Sequence, residues 1–76
     1  MTTTPQRKKI IVLAGSREQF EHYLDENGLT DSEAVYGYDI HVLRGIEASR
    51  VVEIGTFYER NDSYNLKREA ESRVRN

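Results

Sequence analysis

Two short stretches hold most of the residues with chemical potential. Gly15-Ser16-Arg17 follows an apolar run and opens an amphipathic one. Backbone N–H groups left free at a helix start, with a hydroxyl and a guanidinium beside them, are the parts of an anion site. One glycine does not make a phosphate loop, however, and neither G-x-G-x-x-G nor G-x-x-x-x-G-K-[ST] occurs in the chain. The plainer reading of Ser16 is a helix cap. The second stretch runs from Thr56 through Phe57, Tyr58, Glu59 and Arg60 to Asn61 and Asp62. Tyr, Phe and Arg are the residue types that anchor protein interfaces, so Phe57, Tyr58 and Arg60 are candidate partner contacts. The plain alternative packs Phe57 and Tyr58 over the edge of a sheet.

Between them lie Asp39, His41 and Arg44. A histidine near a carboxylate suits acid–base work. Asp39 and His41 are too close in sequence to share a helix face, and no activated-serine motif accompanies them. His41 then reads as a half-exposed helix residue and Arg44 as a cation favourable to a helix C-terminus, with contact to a partner or a phosphate as the sharper option. His22 falls on the polar side of its helix. With no cysteine and only two histidines, neither a disulfide nor a thiolate metal site is available, and no cofactor or metal is expected.

These residues need elements to position them. Lys8 to Ala14, built on Ile10-Ile11-Val12-Leu13, reads as a strand buried on both faces, as in a parallel sheet. Ser16, with Gln19 three residues on, forms a capping-box pattern, and Phe20, Tyr23 and Leu24 give one apolar face to a helix over Arg17–Asn27. Gly28 is placed to end it, with Leu29 supplying the accompanying apolar contact. Ala34 to Tyr38 reads as a second strand. Asp39 caps a helix of about two turns over Ile40–Arg44, ended by Gly45. Arg50 to Gly55 is a third strand, which Thr56-Phe57-Tyr58 can extend. Asn61 or Asp62 caps a last helix with Leu66, Ala70 and Val74 as its apolar stripe and Glu69–Arg73 and Glu71–Arg75 as ion pairs.

The expected fold is therefore α/β: a minimal β-α-β-α-β-α Rossmann-like domain over residues 8–76, preceded by a tail over 1–7, with a three-stranded parallel sheet in the order 2-1-3 and helices on both faces. The handedness rule is read here as placing the first and third helices on one face and the second alone on the other. The rim at the carboxyl ends of the strands then gathers Gly15, Ser16, Arg17, Asp39, His41 and Thr56 as candidate ligand contacts.

Composition bounds the rest. Seventy-six residues bury a small core, and oligomerisation is the support that remains when disulfides and metals are absent. A homodimer through the less covered face or an edge strand is expected. Nine acids against three arginines between Arg17 and Glu53 disfavour a nucleic-acid groove across the body, although the basic ends (Arg7 to Lys9; Lys67, Arg68, Arg73, Arg75) leave a patch for nucleic acid or acidic protein. No apolar run approaches a membrane span, and Met1 to Gln6 lacks the layout of a signal peptide, so a cytoplasmic location is expected.

Over about residues 8–75 the chain resembles small proteins encoded by bacteriophages of actinobacteria, the mycobacteriophages in particular. The resemblance rests on the segment from Ile10 to Phe20, on Leu43-Arg44-Gly45, and on the segment from Val51 to Asp62. In outline it is similar to a reduced Rossmann-like or P-loop-like half, as found around the second acidic motif of phage ATPases. It departs from those where the phosphate loop is missing and where Gly55-Thr56 stands in place of a catalytic acid. The resemblance implies a small accessory protein acting in the host cytoplasm and brings no catalytic residues. Two function classes follow: a non-enzymatic interaction module for a host or phage protein, or a sequestering protein for a nucleotide or small anion at the strand rim.

Overall fold

A computed structural model describes residues 9–74. Lys8, the tail over 1–7 and Arg75 lie outside the described residues. The sheet has three parallel strands in the order β2-β1-β3: β1 is Lys9–Leu13, β2 Ala34–Tyr36 and β3 Ala48–Glu53. The helices are α1 (Arg17–Asn27), α2 (Ile40–Leu43) and α3 (Ser63–Ser72), with a 3-10 turn over Phe57–Glu59.

The apolar run of β1 is buried from both sides. Ile11, Val12 and Leu13 are all inaccessible to solvent, because successive side chains of a central strand point to opposite layers. Ile11 and Leu13 enter a core with Leu43 of α2, Phe57, and Leu66 and Ala70 of α3. Val12 and Ala14 enter a second core with Phe20 and Leu24 of α1 and with Ala34. The Phe20 ring stacks on Tyr36 of β2 with centroids 5.2 Å apart and planes 16° from parallel.

The helices are distributed differently from expectation: α2 and α3 share one face and α1 holds the other alone. Right-handed crossovers account for α1 and α2, since the steps β1 to β2 and β2 to β3 run in opposite directions across the sheet. The difference lies in α3, expected on the face of α1 and found on the face of α2. Val74 makes a parallel bridge to Ala48, and the Ala48 N–H donates to the Arg73 carbonyl at 3.0 Å. Because β1 occupies the inner edge of β3, Val74 lies on the outer edge. The chain therefore continues outward, in the same direction as the previous step, and the same handedness rule puts α3 beside α2. A thinly covered face exists, but it is the face of α1.

Element boundaries shift for identifiable reasons. β2 stops at Tyr36 because Gly37 turns the chain against the core: a Cβ there would lie 2.8 Å from Leu13 Cδ2 and 3.2 Å from Ile11 Cγ2. α2 is a single turn rather than two, capped by Asp39, whose carboxylate accepts from the His41 N–H at 2.8 Å. β3 ends at Glu53 and does not extend through Thr56-Phe57-Tyr58, since Gly55 (φ 58°) breaks the extended backbone before the 3-10 turn. Gly28 (φ 63°) ends α1 as expected, with the Leu29 N–H closing back to the Leu24 carbonyl at 2.9 Å. Glu69 and Arg73 form their ion pair.

Candidate functional site

The carboxyl rim forms, but its centre is filled from within. The Gln19 side chain crosses from α1 to the loop after β3. Its Oε1 accepts the Gly15 N–H at 2.8 Å and the Thr56 N–H at 3.1 Å, while its Nε2 donates to Thr56 Oγ1 at 3.2 Å. Half of the capping box is realised: Ser16 Oγ accepts from the Gln19 N–H at 3.3 Å. The reciprocal bond goes to Gly15, one residue earlier than the box requires, because Thr56 pulls the carboxamide across the rim. The two backbone donors that would hold an anion thus already share an acceptor. Glycine is needed at 15 because a Cβ would run into Thr56 Oγ1 and come within 2.7 Å of Gln19 Oε1.

Of the six ligand candidates, Gly15, Ser16 and Thr56 are brought together around Gln19. Arg17 is not part of the group; it reaches along the helix surface to Glu21 at 3.2 Å. Asp39 and His41 lie elsewhere on the rim, in a shallow depression of about 270 Å³ shared with Arg44, Asp62 and Asn65. The Asp39 carboxylate is engaged as the cap of α2. No cluster of three His, Asp or Glu side chains suited to a metal ion occurs among the described residues.

The four partner candidates separate sharply. Phe57 is 2% exposed and belongs to the core. Tyr58, its neighbour, is 72% exposed, and Arg44 is exposed as well. Arg60 acts as a clamp: it donates from Nε and Nη2 to the two Asp62 carboxylate oxygens at 2.9 and 3.0 Å and from Nη2 to the Tyr38 carbonyl at 3.0 Å. It thereby ties the loop after β2 to the loop after β3. This also explains why Asp62, at the cap position of α3, makes no side-chain cap bond.

The Arg60 guanidinium holds the Asp62 carboxyl below its ordinary range, chiefly by hydrogen bonding, against the opposing effect of burial. A lowered folded-state value means stability that is present above the unfolded value, about 3.9, and lost as pH falls through the folded one. Asp62 is nearly half exposed, so solvent screening limits the contribution to about 0.5 kcal/mol. Asp62→Asn should lower the urea midpoint slightly at pH 7, and the difference from the parent chain should vanish near pH 2. A difference that persists at acid pH would mean that the charge plays no part.

Sequence reasoning missed a second feature. On the α1 face, the helix lies towards β2 and leaves part of β3 uncovered: Val52 and Ile54 are half-buried and Arg50 is exposed. Between α1 and the end of β3 runs an open groove of about 490 Å³ lined by Glu18, Gln19, His22, Tyr23, Glu26, Ile54 and Gly55. Its signal was present in the helical spacing of Glu18, His22 and Glu26, but the wrong placement of α3 hid which face would stay open.

Compared with known protein families, with curated proteins and with solved structures, the chain finds no match. The fold itself defines the class: an α/β domain with an open three-stranded parallel sheet and helices on both faces. Among the described residues no helix is long and apolar enough to cross a membrane.

Proposed function

We propose that this chain is a non-enzymatic interaction module that docks a partner protein on the α1 face of its sheet. The observation that carries this is the open groove beside the part of β3 that α1 leaves uncovered, where Tyr23, Val52 and Ile54 remain half-accessible. Apolar surface left next to a finished core is the usual mark of a binding surface. In keeping with the resemblance to small actinobacteriophage proteins, the role is that of an accessory protein in a host cytoplasm. The alternative of nucleotide or anion sequestration at the rim loses ground, because Gln19 already occupies the donors such a ligand needs.

Self-association is the second element of the proposal, and it falls on the free edge of β3 rather than on the groove. Beyond Ala48 the outer edge of β3 carries no partner strand among the described residues, and an open edge is a template for pairing.

Crosslinked pull-downs from host lysate with the parent chain, Ile54→Arg and Arg68→Glu test the docking surface. Arg68 lies on α3, away from the groove. A specific protein should be recovered by the parent chain and by Arg68→Glu, and lost with Ile54→Arg. Recovery of the same proteins by all three, or of none, would sink the proposal.

A further inference from the structure

The groove carries a charge pattern as well as an apolar floor. Glu18 and Glu26 stand on its wall, and no lysine or arginine lines it. Arg17, the one arginine of α1, is held by Glu21. Glu18 has no ion-pair partner among the described residues, and Glu26 has only His22, with Nε2 to Oε2 at 3.2 Å. Arg50 shares this face of the sheet but does not line the groove.

A second copy is a poor occupant. A two-fold axis along the strands would lay each α1 over the bare part of the other sheet and set the two helices side by side. Glu18 and Glu26, which line the groove on each helix, would then meet their equivalents with no groove lysine or arginine to offset them. Like charges brought together at an interface cost several-fold to many-fold in affinity. The surface suits a cationic partner instead.

The spacing narrows the partner further. Glu18 and Glu26 are eight residues apart on the helix, a rise of about 12 Å. An extended peptide covers about 13 Å between residues i and i+4, and the side chains of i, i+2 and i+4 all project to the same side. Resting on the docking function proposed above, we infer that the groove takes a basic, extended peptide segment of the form Lys/Arg-x-aliphatic-x-Lys/Arg. The central aliphatic side chain sits on Tyr23 and Ile54, and the flanking cations pair with Glu18 and Glu26.

The test is an NMR titration of the 15N-labelled full chain with three acetylated, amidated pentapeptides: Lys-Ser-Leu-Ser-Lys, Glu-Ser-Leu-Ser-Glu and Lys-Ser-Ser-Ser-Lys. The first should shift the amides of Glu18, His22, Tyr23, Glu26, Ile54 and Gly55, with a Kd at least about tenfold below those of the other two, and should weaken several-fold between about 50 and 200 mM salt. The double variant Glu18→Gln, Glu26→Gln should lose about tenfold in affinity while keeping its fold, read from unchanged amide shifts of β1 and α3. Equal shifts from the acidic peptide would overturn the charge assignment while leaving a docking groove in place. No shift of groove amides by any peptide would overturn both. Groove shifts on simple dilution of the free chain would make a second copy the occupant, and groove shifts on deleting residues 1–7 would make it the chain's own N-terminal segment; each overturns the inference.

Discussion

Phe57→Ala should cost about 3–5 kcal/mol of folding stability, most of what a domain of this size has to lose. The ring is 2% exposed and packs in the core that joins Ile11 and Leu13 of β1 to Leu43 of α2 and to Leu66 and Ala70 of α3. Three of those neighbours come from elements with little stability of their own: α2 is a single turn, and α3 spans ten residues, below the length at which an isolated helix holds. Removing the ring leaves a cavity beneath both. Tyr58→Ala, one residue on and 72% exposed, should change stability by less than about 0.5 kcal/mol. Urea unfolding of the two variants gives the comparison directly. A Phe57→Ala chain that kept the parent midpoint would mean that the ring is a contact residue after all. The contrast also governs the reading of partner experiments, because a partner lost with Phe57→Ala reports unfolding, whereas one lost with Tyr58→Ala reports contact.

That pair also shows where sequence reading reaches its limit. The run Ile10–Leu13 reads as a central strand packed on both faces because a strand with one face in water would alternate apolar and polar residues, and the strand order follows from placing it in the middle. The α1 helix is equally legible, since its cap, apolar face and terminating glycine are all local. Phe57 and Tyr58 are adjacent aromatics in an irregular segment, where no periodicity says which one turns inward; the 3-10 turn decides it, and that turn depends on Gly55 adopting φ 58°. The side taken by α3 was beyond local signals as well. It depends on whether the chain leaves β3 inward or outward, which only the pairing of Val74 with Ala48 reveals. The same holds at the rim. Gln19 was visible as a capping residue, but its bond to Thr56 joins residues 37 positions apart, and no spacing rule brings those together. Arg60 and Asp62 look like free charges on a functional loop until the Tyr38 carbonyl is placed beside them.

Gln19→Ala should lower stability by about 1–2 kcal/mol, a fall of about 5–10 °C in melting temperature for a chain this short. Three hydrogen bonds disappear with the side chain, among them the acceptor for a partly buried Gly15 N–H. Part of the loss is recovered because water can enter the opened rim, which keeps the figure below that of a core truncation. Gln19→Glu separates the loss of an acceptor from the loss of packing. A carboxylate can accept the same two N–H groups and can take a hydrogen bond from the Thr56 hydroxyl in place of the one it gave up, so most of the stability should remain at neutral pH. The alanine variant also exposes the donor pair that the carboxamide had held. Inorganic phosphate should then raise the melting temperature of Gln19→Ala while leaving the parent chain unchanged, because an anion in the parent would have to displace a side chain that already satisfies both donors. Calorimetry or dye-monitored melting across a panel of nucleotides and phosphate checks this in one experiment. A parent chain stabilised by several degrees by any nucleotide would show that Gln19 is a gate rather than a plug, and would return the strand rim to the place of the primary site.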